Sequence, residues 1–418
     1  MTDEPHIERP IDPAEHPAMQ RNLRILPWWW VLRWGWLGEG IWVIYLLEER
    51  GLTLGQVLLF EAVFSATVIA TELPTGMIAD RFGRRISLLL GSVAAVIGFL
   101  AFGAGTSMVI LLAAYAFLGL AETGFSGADT AMLYDSLKAT GQDRKFTRWH
   151  GRLNAVIALA IAGFTVVGSV MTLWLPLWVP LVLSAAVTLP AVVLALGFTE
   201  PPRSDERHTY LRTGVEAVRL MLRTRALLTV TGLMTVTTSA IALMAILQQQ
   251  FLVDAGMPVW SIGIFIAGQM ALAALGSWIA DPLGRRLTLR HTFWLMPVLS
   301  ALALLAVTSH SAWLYPVFIF PALAWNVMFP HFTDYLSRRV TDSLRATAMS
   351  VANVISAVFN IALVPLVGLG VDRLGLVPAL TAAAAGLALL GALLYLAWLR
   401  EGDVGQPRID APPPAVLS

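Results

Sequence analysis

Apolar residues run along this chain in long stretches separated by short polar segments, and about 20 such residues are what an α-helix needs to cross a bilayer. Six stretches fall at residues 25–47, 54–79, 86–105, 108–133, 153–173 and 177–198. A charged, proline-containing stretch follows at 199–225 and reads as a linker. Six more apolar stretches then cover 226–253, 259–280, 289–307, 313–336, 346–371 and 377–399. These are referred to below as spans 1 to 12. The pattern predicts a 25–198 bundle and a 226–399 bundle, with a polar tail at 1–24. A proline-rich tail at 400–418 is expected to be disordered.

Charge placement orients the spans. Of 28 Lys and Arg, only Arg50 and Arg373 fall in the odd-numbered loops, and Arg33 lies inside span 1. The rest collect in the tails, the linker, the even-numbered loops and, at Arg290, the first turn of span 9 next to such a loop, which puts those loops and both termini on the cytoplasmic side. Residues 1–24 are too polar to be a cleaved leader, so span 1 is expected to direct insertion.

Composition narrows the class further: 57% of residues are hydrophobic and 13% charged, with a mean hydropathy of +0.71. That is far more apolar surface than a soluble domain of this length can bury. A net charge of +1 offers no concentrated basic face for nucleic acid. With no cysteine there is no disulfide frame, thiolate metal site or cysteine nucleophile. No Gly-x-x-x-x-Gly-Lys-Ser/Thr loop occurs, which argues against an ATP-driven pump. No metal, cofactor or catalytic residue is expected.

One loop pattern occurs twice, half the chain apart. Gly76, Asp80, Arg81, Gly83, Arg84 and Arg85 follow span 2, and Asp281, Gly284, Arg285 and Arg286 follow span 8. Asn154 and Asn353 keep nearly the same offset, so the halves read as parallel repeats. The first segment resembles the loop signature of the major facilitator superfamily, Gly-x-x-x-Asp-Arg-x-Gly-Arg-Arg/Lys. The resemblance implies an all-α membrane protein of twelve transmembrane helices in two pseudo-symmetric six-helix bundles, with spans 1, 4, 7 and 10 lining a central cavity. Two departures concern subtype: Tyr115 stands where many proton-driven members carry Arg, and span 5 has Gly163 and Gly168 but no Gly-Pro.

The signature also has a physical reading. Glycines 76 and 83 permit close helix approach and a tight turn. Asp80 stands at the cytoplasmic mouth, where it can face the positively polarised start of span 11, with Asp135 in support. For a single copy a hydrated, positive-inside loop is the preferred explanation, whereas the duplication favours a gate.

Ionisable groups within spans are costly and must find water or a partner. They concentrate in the first half: Arg33 and Glu39 in span 1, Glu61 and Glu72 in span 2, Glu122 and Asp129 in span 4. Glu122 and Asp129 are seven residues apart and would share a helix face. Arg33 is expected to neutralise Glu72 or Asp129. Glu122, Glu39 and Asp129 are the candidates for proton coupling. Trp36, Trp42, Tyr115, Asn326 and Gln248 are the candidates for contact with solute, while Trp28, Trp29 and Trp30 read as an interfacial aromatic belt.

The function these readings support is secondary active transport by alternating access, as proton-coupled export of small amphiphilic, drug-like or metabolite solutes from a monomer in the inner membrane. Proton-coupled uptake of a polar nutrient is the alternative within transport, and a multi-spanning receptor or enzyme the alternative outside it. Expected partners are a small-molecule substrate, protons and membrane lipids, with no nucleic acid.

Overall fold

The computed structural model describes residues 16–202, 218–286, 289–309, 311–341 and 344–400. Of the expected tail at 400–418 only Arg400 is described, as the last residue of a helix, and most of the linker lies outside the described residues. Helices account for the spans: Leu54–Phe82, Arg84–Ala104, Phe146–Met171 and Trp178–Gly197 in the first half, and Arg225–Asp254, Val259–Arg286, Leu289–Leu305, Arg345–Leu374 and Leu376–Arg400 in the second. Span 10 begins as a 3-10 stretch, Ala312–Ile319, and continues as the α-helix Phe320–Ser337. Among the described residues nine helices are long and apolar enough to cross a membrane.

Two spans depart from the sequence expectation. Span 1 is not one helix: it runs from His16 to Leu32, unwinds, and resumes at Trp42–Ile44 with a π-turn over Tyr45–Glu49. Gly35, Gly38 and Gly40 lie in the unwound segment, where a helix-period apolar pattern hides their cost to a helix. Span 4 is divided at Ser126–Gly127 into Met108–Phe125 and Ala128–Ala139, with Gly127 at φ +71°. Glu122 and Asp129 therefore do not share one helix face.

The chain divides into two compact units. The first takes its described residues from Met1–Gly38, Ala70–Phe164 and Trp178–Glu206, and the second from Glu39–Ile69, Thr165–Leu177 and Arg207–Ser418. In the first unit span 3 packs along both span 4 and span 6. Its contact with span 4 is at backbone distance: a Cβ on Gly124 would stand 2.9 Å from Gly91 Cα, and one on Gly91 would stand 2.8 Å from the Phe125 ring. Ser87 Oγ donates to Gly124 O at 2.8 Å across the same seam. Small residues give such closeness where lipid supplies no hydrophobic drive between helices.

In the second unit span 7 is central, touching spans 9, 10, 11 and 12. Its core gathers Leu233, Phe293, Phe332, Tyr335 and Trp398. Trp398 and Phe293 meet edge to face at 5.1 Å, and Trp398 Nε1 donates to Tyr335 Oη at 3.0 Å, so the polar tips of the buried aromatics are paired.

Candidate functional site

Where span 1 unwinds, its backbone must find new partners, since bare peptide groups in hydrocarbon cost several kcal/mol each. Within the first unit they come from span 6: Leu37 N donates to Ser184 Oγ at 2.9 Å and Gly35 N to Thr188 Oγ1 at 3.3 Å. Gly35 leaves room for this contact, because a Cβ there would lie 2.5 Å from Val187. Neither hydroxyl stands out in the sequence, and the clustered glycines were the available signal.

Arg33 is the first residue past the end of the helix. Its Nη1 meets Asp129 Oδ2 at 2.6 Å, and both side chains are nearly buried, at 14% and 10% exposure. The guanidinium carbon lies 5.2 Å from the Trp29 ring centre, 5.4 Å from Trp30 and 5.1 Å from Phe125. Trp29 and Trp30 are buried, so they form a box around a cation and not an interfacial belt; Trp28, at 67% exposure, is the outward one. Asp129 also accepts from the Thr130 backbone and hydroxyl. Glu72 Oε1 accepts from Ser126 Oγ at 3.1 Å, across the break in span 4. Glu122 takes a hydrogen bond from Trp34 and lies in the field of Arg33, Asp129 and Glu72. The ionisable groups of spans 1, 2 and 4 in this unit thus form one network at the two helix breaks.

Trp36 stacks on Phe99 at 5.0 Å, and Tyr115, itself buried, meets Phe102 at 5.0 Å. The loop from Gly76 to Arg85 is built around a residue that no sequence motif marks. The Glu200 carboxylate accepts from Arg84 N at 2.8 Å and Arg85 N at 3.0 Å, capping span 3 with both oxygens. Gly83 makes the turn at φ +107°, and a Cβ there would lie 2.6 Å from Glu200. Arg84 forms an ion pair with Asp135, and Arg85 Nη2 donates to Leu196 O at 2.9 Å. Arg81 lies over Phe82, and Asp80 is exposed at the end of span 2. Gly76 does not serve close approach in this conformation, since a Cβ on it would enter open space. Asp281, Gly284 and Arg285 lie on the span 8 helix, with side chains outside the described residues.

A second polar region lies in the second unit, at the ends of spans 1, 2 and 5 that this unit holds. Gln249 of span 7, 1% exposed, bonds to Val43 N and Glu39 O in span 1. The carboxyls of Glu39 and Glu61 lie in each other's field. Gly40 sits so close that a Cβ would stand 2.5 Å from Ser169 Oγ and 3.0 Å from Gly263 Cα. Asp372, at the end of span 11, accepts from Thr53 Oγ1 at 2.9 Å and Gly55 N at 3.2 Å, capping span 2. Trp42 is buried, Gln248 is half-buried beside Gln249, and Asn326 Nδ2 donates to Ala273 O at 3.1 Å.

The profile of the Major Facilitator Superfamily matches residues 36–362. A Haemophilus influenzae protein named for metabolite transport is 32% identical over 148 residues; this chain matches over about a third of that relative's length, 34% of each chain. The nucleoside transporter NupG superposes with a TM-score of 0.73 at 12% identity, covering 93% of this chain and 100% of its own. A bacterial homologue of the human lysosomal transporter Spinster, inward-facing and unoccupied, gives 0.70 at 16% identity, covering 95% and 99%. A POT family transporter in complex with 5-aminolevulinic acid gives 0.69 at 10% identity, covering 92% and 96%. At these identities the structures speak for the fold.

Proposed function

Because the chain belongs to the Major Facilitator Superfamily and is a multi-pass membrane transporter, we propose that it exports small amphiphilic solutes by alternating access, driven by proton exchange at Glu122 or Glu39. In this reading the even-numbered loops and both termini are cytoplasmic, and the membrane is the inner one. Asp129 and Glu72 belong to the structural ion-pair network, and Glu122 is the carboxyl whose charge can change without breaking the Arg33 pair.

The observation that carries the reading is the Arg33 box. The first unit already holds a planar cation among Trp29, Trp30 and Phe125 beside a carboxylate. An interior that stabilises a flat cation by ring faces suits aromatic or cationic amphiphiles better than a polyhydroxylated nutrient. The contacts of Gly40 and Asp372 support a state closed on the outer side, poised to receive solute from the cytoplasm.

A thermal-shift screen of the purified protein identifies solutes, since any ligand of the folded state stabilises it by mass action. Flux of each hit in proteoliposomes under an imposed pH difference then tests coupling. Glu122→Gln should keep solute exchange and lose proton-driven accumulation, because the amide keeps the shape and cannot titrate. Undiminished accumulation in this variant and in Glu39→Gln would exclude both coupling sites.

A further inference from the structure

In an unbroken helix Val43 N–H would donate to the carbonyl four residues back, that of Glu39. Here the side-chain amide of Gln249 stands between the two. Val43 N donates to Gln249 Oε1 at 3.1 Å, and Gln249 Nε2 donates to Glu39 O at 2.8 Å. One partner is a donor and the other an acceptor, so together they fix which way the amide points. A side chain inserted into the helical ladder is one of the few physical causes of a helix break. Gln249 is buried, so neither bond competes with water.

We propose that Gln249 is a wedge that holds span 1 open while the outer side is closed, and that its withdrawal lets Val43 and Glu39 bond to each other and rewind the turn. Val43 N–H and Glu39 C=O are satisfied in both arrangements. The usual penalty for unwinding in hydrocarbon, an unpaired peptide group, is therefore absent at this turn. Two alternatives that each meet the same donor and acceptor form a two-state element of the kind transport requires.

The wedge is also placed to act on closure. Gly40, the residue after Glu39, is the one seated at backbone distance against Gly263 and Ser169. A helical turn at Glu39–Val43 would change the direction of Gly40 and take it from that seat. Gln249 is thus a positioning residue, acting through the backbone of span 1 and not through contact with solute.

The inference rests on the alternating-access reading, and its test needs no known solute. The chain has no cysteine, so Ser169→Cys introduces one nearly isosteric thiol at the closed seat. Its labelling by a sulfonated, membrane-impermeant maleimide from the outer face of right-side-out vesicles reports opening. Adding Gln249→Leu, which removes both bonds, should speed labelling about tenfold.

Adding Gln249→Glu is the sharper arm and guards against a leucine variant that fails to fold. A protonated carboxyl keeps one donor and one acceptor and so keeps the wedge. The ionised form loses the donor and points charge at the Glu39 carbonyl. Labelling of this variant should be slow in acid and accelerate as pH rises, after correction by the Ser169→Cys chain alone at each pH. A Gln249→Glu chain that follows the parent at every pH overturns the wedge. Asp372→Asn separates the two failures: if it opens the seat while Gln249→Glu does not, the wedge alone is wrong. If no variant, Asp372→Asn included, changes labelling, the alternating-access reading of this closure is wrong as well.

Discussion

Glu200 lies just past span 6, yet it holds the start of span 3, and its removal should be felt across the first unit. Both of its oxygens accept backbone N–H groups, from Arg84 at 2.8 Å and Arg85 at 3.0 Å. These are two of the four donors that a helix start leaves without internal partners. Hydrogen bonds to a charged acceptor contribute about 1.5–3 kcal/mol each when shielded. Glu200 is half-buried, so solvent screening takes the pair to about 2–3 kcal/mol, a figure that includes the favourable charge at the helix N-terminus. Glu200→Ala should therefore lower the melting temperature of the detergent-purified protein by about 4–12 °C, at 2–4 °C per kcal/mol. Glu200→Gln should lose about half of that, since the amide keeps one acceptor and turns a donor toward the remaining N–H. Gly83→Ala should approach the Glu200→Ala loss, because it adds a side chain at φ +107° and 2.6 Å from the carboxylate. If Glu200→Ala melts within 1 °C or so of the parent, the cap contributes nothing to stability and the reasoning fails.

Arg33→Gln alone should destabilise the protein by about 2–4 kcal/mol because it leaves Asp129 buried and unpaired, whereas Arg33→Met with Asp129→Leu should recover most of that loss; melting curves of the three chains decide it. Asp80→Asn should insert and fold but shift toward the inward-open state by a few-fold, read as faster maleimide labelling of a single cysteine in the cytoplasmic half of span 4 or 10; an unchanged rate returns Asp80 to a solvated loop. Cytoplasmic reporters fused after Arg85, Lys138, Arg225, Arg286 or Arg339 should be active and those after Arg50 or His310 inactive, and activity at His310 would contradict the charge asymmetry.

The span ends were largely legible because they are set by a solubility rule. Apolar stretches stop where charge begins, and the expected 377–399 and 177–198 are helices at Leu376–Arg400 and Trp178–Gly197. The breaks in spans 1 and 4 were not legible as breaks. Hydropathy records where a side chain is comfortable, and it is silent on whether the backbone has a partner. Gly35, Gly38 and Gly40 permit unwinding, but what stabilises it comes from Ser184, Thr188 and Gln249, far away in sequence. The same distance hid Glu200. Its cap joins positions more than a hundred residues apart, and nothing in the local pattern at Thr199–Glu200 distinguishes it from a solvated helix end. Arg33 was legible as a charge needing a counter-ion, but the choice of Asp129, with Glu72 bonded instead to Ser126, follows from the turn at Gly127.

The glycine seam between spans 3 and 4 bears on how this chain can drift through evolution. Where Gly91 and Gly124 meet, even one added methyl has nowhere to go. Leu90, Val93, Ile97 and Leu100 on the same helix are exposed to the surrounding medium, and any apolar residue there meets only lipid. Neutral substitutions should therefore accumulate on one side of span 3 and be purged on the other. Two descendants of this chain could differ at most positions of that helix and still share the spacing of its smallest residues. In such a lineage ancestry would be recorded by the side chains that are missing.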